Sequence, residues 1–230
     1  PESLDYVYKA VKNIKNSLSE EIPLIGFCGS PWTLAAYSIE GRSSKDFEKT
    51  LNFLVSNQKD VHNLLTKYTD ACFLYLRRQV QSGADVIQIF DSWANLLTKE
   101  GLIEYSFNYI NALISALKLD PVTKNIPVIV FARNPKCNIE ELINTSADCI
   151  SLYWSMNDLN FELAKNKVAI QGNLDPKILL ESDEIIKRET YKILEKFEKY
   201  PGYIFNLGHG ITPDINPDKI KYLTNIVREY

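Results

Sequence analysis

Short apolar runs recur along the chain, and each stops at a polar or glycine-rich turn. The runs cover residues 23–27, 85–90, 127–132, 148–153, 167–171 and 202–207, and the turns after them read CGSPWT, DSWANL, RNPK, WSMND, GNLDP and GHG. Unbroken apolar runs of this length are the signature of strands buried on both faces of a parallel sheet, which needs helices to return the chain. The helical spacing is present between them. Val61, Leu64, Leu65, Tyr68, Ala71, Cys72 and Tyr75 mark one long amphipathic helix, and Leu102–Leu119 repeats the pattern. Asn138 with Glu141, and Asn216 with Pro217, read as helix starts, as does Ser182 between a short and a longer helix in 176–200. Pro31 near a first helical position opens a helix that ends near Glu40–Gly41.

The pattern is therefore a helix, then six strands each followed by a helix, with no linker or shift of composition. It predicts one α/β domain over residues 1–230. No G-x-G-x-x-G follows the first strand, which argues against a dinucleotide fold. Polar punctuation at every strand end fits a (β/α)8 TIM barrel, whose ligands meet the carboxyl ends of the strands. A full barrel has eight strands, so the expectation is about six βα units, a C-terminal portion with the first two units absent.

Composition narrows the choices. The 230 residues are 45% hydrophobic, with 26 basic residues scattered among 29 acidic ones and a net charge of −3. Neither a nucleic-acid footprint nor an apolar run long enough to cross a membrane is expected. Cys28, Cys72, Cys137 and Cys149 have neither metal-ligand nor disulfide-framework spacing, and His62 and His209 are the only histidines. Reduced structural thiols and no metal are expected.

Candidate chemistry lies in the turns. His209, flanked by Gly208 and Gly210, can donate to an anion or carbonyl while the glycines let backbone come close to a ligand. Strand alternation puts Phe90 and Ser92 on one face and Asp91 on the other, and Asp91 or Ser92 can equally cap the next helix. Tyr37, one turn into its helix, can aim its hydroxyl at the strand mouth or sit in the core. Arg133, directly after VIVFA, is a candidate carboxylate clamp or a solvated cation. The amides of Gln171 and Asn173 can read a ligand, while Asp175 suits a helix cap before Pro176.

Five segments carry a resemblance. PLIGFCGSPWTLAAYSIEG (23–41), GADVIQIFDSWANLL (83–97), PVIVFA (127–132), VAIQGNLDP (168–176) and YIFNLGHGITPDINPDKI (203–220) together resemble the uroporphyrinogen decarboxylase family. The likeness runs in order from that family's third barrel strand to its eighth. It implies a cofactor-free TIM-barrel carboxy-lyase, homodimeric when full length. Such an enzyme removes the four acetate carboxyls of uroporphyrinogen III to give coproporphyrinogen III in heme and other tetrapyrrole synthesis. It also implies that Tyr37, Phe90, Ser92 and His209 line the substrate cleft. Phe90 would pack on the macrocycle, Tyr37 and Ser92 would bond near a reacting acetate, and His209 would meet a carboxylate or a pyrrole edge.

Two departures stand out. The family's arginine-rich motif and its pyrrole-gathering aspartate would both precede Pro1, so this stretch alone is expected to be inactive. Tyr153 stands where the family commonly has an aspartate. The location implied is the cytoplasm, or a plastid-type organelle if a targeting segment is missing. The alternatives are a truncated non-catalytic homologue that binds a porphyrinogen, and a zinc- and corrinoid-dependent methyltransferase of the same superfamily. The latter would need a His-x-Cys pair at the strand end that here reads FARNPK.

Overall fold

The computed structural model describes residues 2–42, 44, 46–156 and 160–230, which fall into two compact units, one ending at Asp148 and one beginning at Cys149. The last residues of the predicted WSMND turn, Asn157 and Asp158, lie outside the described residues.

In the first unit, helix α1 (Asp5–Ser17) precedes strand β1 (Ile25–Gly29). Three helices follow: α2 (Pro31–Glu40), α3 (Glu48–Ser56) and α4 (Gln58–Gln81). Strand β2 (Val86–Asp91) leads through the single turn α5 (Lys99–Gly101) and helix α6 (Asn108–Leu119) to β3 (Val128–Ala132) and the short α7 (Ile139–Ile143). The three strands are parallel and in sequence order, with Gly29 beside Phe90 and Phe90 beside Phe131. Parallel pairing needs these crossovers, and α4 and α6 supply most of the apolar cover. Leu65, Leu76, Leu113 and Leu117 are buried with Ile87, Ile89, Val128 and Val130. On the β1 edge away from β2, the Gln79 side chain accepts from Phe27 N–H at 3.1 Å and donates to Phe27 C=O at 2.9 Å. These two bonds satisfy the Phe27 backbone from the α4 side.

The second unit holds β4 (Cys149–Ser151), β5 (Ala169–Gln171) and β6 (Tyr203–Ile204), again parallel, with α8 (Asp183–Phe197) and α9 (Pro217–Glu229). Its core gathers Leu174, Leu179, Ile186, Ile215, Leu223 and Ile226. All six expected strands are thus present, and helices follow all of them but β4 among the described residues. The cap readings hold at Asn138, which forms a reciprocal capping box with Glu141, and at Asn216 before Pro217. Asp175 also caps, accepting from Lys177 N–H at 3.0 Å.

Three details differ from the sequence reading. Ser182 occupies the cap position of α8 without a side-chain cap bond. Between β4 and β5 the described residues hold only one 3-10 turn, Phe161–Leu163, where the sequence reading expects a helix. Residues 102–119 are not one regular α-helix: Leu102–Phe107 is wound as a π-helical turn before α6 begins.

Candidate active site

The carboxyl end of β2 organises the site in the first unit. Phe90 lies between two other rings, Phe27 on β1 at 5.8 Å and Phe131 on β3 at 5.9 Å, both edge-to-face. The three phenyl groups make an aromatic row across the sheet face that Phe90 and Ser92 share by alternation. Phe27 is 59% exposed at one end of the row, while Phe131 is buried at the other. The sequence reading named only Phe90. The signal for the others was available, since Phe27 and Phe131 also stand one or two residues before their strands end.

Beyond the strand end, Trp93 gathers the next set. The Tyr37 ring meets it edge-on at 5.8 Å, Phe47 packs on it at 4.3 Å, and the Arg133 guanidinium lies 5.5 Å over its face. Tyr37 also touches Phe47 at 5.9 Å. Phe47 holds a left-handed backbone (φ 51°), uncommon for a bulky residue, yet it is fully buried. Tyr37 from α2 and Arg133 from the turn after β3 are therefore brought to one indole, with Tyr37 39% exposed and Arg133 half-buried. A permanently charged guanidinium on an aromatic face beside an exposed phenol suits a planar ligand that carries carboxylates.

Asp91 and Ser92 do not cap the following turn with their side chains. Asp91 is fully buried and faces back into the fold, where Thr33 Oγ1 donates to it at 3.0 Å and Ser106 Oγ donates to its other oxygen. Burial pushes its carboxyl above the usual range, against the pull of these donors and of Ser30 and the Trp93 amide. Ser92 N–H in turn donates to Thr33 Oγ1 at 2.9 Å.

His209 lies in the second unit, after β6. It is exposed, its Nδ1 is 3.3 Å from Gly210 C=O, and its ring meets Tyr153 edge-on at 5.9 Å. Of the neighbouring glycines, Gly208 has a packing role within the unit. Gly208 is bare because it packs on the Trp154 backbone, where a Cβ would lie 2.5 Å from Trp154 Cα, and a Cβ on Gly210 would meet open space. The amides of GNLDP are also spent inside the unit. Gln171 Nε2 donates to Ser151 Oγ at 3.0 Å, and Asn173 Nδ2 donates to the carbonyls of Tyr153 and Trp154 at 3.1 and 3.4 Å.

The cysteines are free thiols, three of them buried and Cys137 partly so. Among the described residues no cluster of His, Cys, Asp and Glu is placed to hold a metal ion, and no helix is long and apolar enough to cross a membrane.

With this geometry in place, similarity to known proteins is decisive. The uroporphyrinogen decarboxylase (URO-D) family model matches residues 1–230. The chain belongs to the uroporphyrinogen decarboxylase family. It is 42% identical over 229 residues to a uroporphyrinogen decarboxylase of Ruthia magnifica subsp. Calyptogena magnifica, covering 99% of this chain and 66% of the relative. To the uroporphyrinogen decarboxylase of Magnetococcus marinus it is 41% identical over 231 residues, covering 99% and 65%. The chain thus spans about two thirds of the length of these curated relatives. Among solved structures, a methyltransferase from Methanosarcina mazei superposes with TM-score 0.78 at 19% identity, covering 97% of this chain and 63% of that one. A B12-independent methionine synthase from Shewanella sp. W3-18-1 superposes with TM-score 0.63 at 16% identity, covering 96% and 66%. At such identities the likeness speaks of fold alone, and it supports the barrel-type α/β class for this member of the family.

Proposed function

We propose that the protein carrying this chain is a uroporphyrinogen decarboxylase. It converts the four acetate side chains of uroporphyrinogen III to methyl groups, giving coproporphyrinogen III. The observation that carries the reading is the 42% identity, over nearly the whole chain, to a relative of that name. The site geometry is compatible with it.

Each step exchanges a carboxyl for a proton. The carbon–carbon bond to CO2 breaks and its electron pair passes into a pyrrole ring protonated beforehand; the methylene carbon then takes up a proton to become a methyl group, and the ring carbon gives its proton back. The ring is its own electron sink, so the protein's task is to hold carboxylates and favour the cationic ring by preorganised polar groups. Phe90, within its row of phenyl groups, packs on the macrocycle. Tyr37 and Ser92 hydrogen-bond near the reacting acetate, Arg133 clamps a carboxylate, and His209 contacts a carboxylate or pyrrole edge. Residues 1–230 act as one domain, and the full-length protein works as a homodimer.

The test is an anaerobic assay with uroporphyrinogen III, with products oxidised and separated by chromatography. It compares this chain with the protein expressed from its natural start. Coproporphyrinogen formed by the longer protein supports the reading. No conversion by either, with both folded, overturns it.

A further inference from the structure

A carboxylate with no exposure to solvent sits one residue before Ser92, and nothing in the decarboxylase reading uses it. Burying an ion is costly, and an apolar side chain of similar size would fill the space at less expense. Asp91 is nevertheless built in with care. Ser106 reaches it from Leu102–Phe107, which is wound as a π-helical turn, a local irregularity of the kind found at functional sites. Thr33 reaches it because Ser30 caps α2, accepting from Thr33 N–H at 3.0 Å.

The arrangement has a direction. A hydroxyl has one proton, and an ionised carboxylate can only accept. Thr33 Oγ1 therefore gives its proton to Asp91 at 3.0 Å and has its lone pairs left for Ser92 N–H at 2.9 Å. The next residue is held as well, since Trp93 C=O accepts from Trp32 Nε1 at 3.0 Å and Trp93 N–H also bonds toward Asp91. The backbone at the β2 mouth is thus tied to the β1–α2 turn through one buried acid.

We propose that Asp91 is a positioning residue that, by orienting the Thr33 hydroxyl, fixes the Ser92 backbone and so places Ser92 Oγ against the substrate. The proposal rests on the decarboxylase reading for the role of Ser92, while the fixing of the backbone can be read separately. The test uses the protein from its natural start with Asp91→Asn, Thr33→Val, Thr33→Ser and Ser92→Ala. Amide hydrogen exchange of peptides spanning Ser92 is measured beside anaerobic steady-state kinetics and thermal melting. Thr33→Val keeps the shape and volume of the side chain, so it remains informative if Asp91→Asn folds poorly.

The expected result is at least tenfold faster exchange at Ser92 and at least a tenfold loss of kcat in Asp91→Asn and Thr33→Val. KM should stay within threefold, and Thr33→Ser should recover both readouts. Unchanged exchange at Ser92 overturns the proposal, as does a lowered melting temperature with normal kcat per folded molecule. If Ser92→Ala is as active as the parent, the role given to Ser92 fails and the proposal falls with it. If Ser92→Ala is impaired while Asp91→Asn and Thr33→Val are not, the positioning alone is refuted.

Discussion

Gly208 lies directly on the backbone of Trp154, so that a methyl group at position 208 would stand 2.5 Å from Trp154 Cα. The contact is between two main-chain segments, and neither can swing aside as a long side chain could. The β6 end is further held by Gly208 N–H donating to Leu174 C=O at 2.8 Å. Gly208→Ala should therefore destabilise the protein by about 1–3 kcal/mol, the usual cost of overpacking. Urea denaturation checks this, with Gly210→Ala as the control, because a Cβ at 210 meets open space. Equal midpoints for the two variants would refute it.

The Tyr153 ring meets His209 edge-on at 5.9 Å with an interplanar angle of 87°. The aromatic contact steadies the imidazole. Such pairs contribute about 0.5–1.5 kcal/mol beyond area burial. If His209 meets substrate, Tyr153→Ala should lower kcat/KM by roughly two- to tenfold. Tyr153→Phe keeps the ring contact and should stay within twofold. A Tyr153→Phe defect as large as that of Tyr153→Ala would mean that the hydroxyl, not the ring, carries the effect.

Local pattern was enough for the strands, because each is mostly apolar and the turn after it is polar. The caps at Asn138, Asp175 and Asn216 were equally legible, since each bonds within three residues of itself. Asp91 was not. Its partners Thr33 and Ser106 lie 58 and 15 residues away, and the second is delivered by a π-helical turn that apolar periodicity cannot distinguish from an α-helix. The packing of Gly208 was hidden for a related reason, since the backbone it approaches, that of Trp154, belongs to another strand-end loop. The aromatic row was legible only in part: Phe27 and Phe131 stand near their strand ends, but register was needed to set Phe131 beside Phe90 and Phe27 diagonally across from it.

Cys137 offers a check on the packing after β3. Burial pushes its thiol up to about 12, with Glu141 adding to the effect and Lys99 opposing it. At pH 8 the thiolate fraction is then on the order of one in ten thousand, and the thiolate is the reactive form. Alkylation of Cys137 in the folded protein, followed by mass spectrometry, should be at least tenfold slower than in the urea-unfolded chain. Glu141→Gln should change the rate little, because burial is the larger cause. Rapid labelling of folded Cys137 would show that the loop before α7 is open.

Asp85 joins the start of β2 to α1 and to the residue before β1. Its Oδ2 accepts from Leu24 N–H at 2.7 Å and from Lys15 Nζ at 2.7 Å. The Leu24 amide first, then Lys15, hold its carboxyl below the usual range, against a smaller opposing effect of burial. The unfolded chain, with an ordinary carboxyl near a pKa of about 3.9, thus binds the proton more readily than the folded one. Stability from this group is fully present above about pH 5 and is lost as pH falls through the folded value. Asp85→Asn keeps the shape but removes the charge. The difference in urea midpoint between parent and variant should be constant from about pH 5 to 7, shrink below about pH 4, and vanish at lower pH still. A difference that grows on acidification would reverse the sign of the linkage and refute this role for the Leu24 and Lys15 contacts.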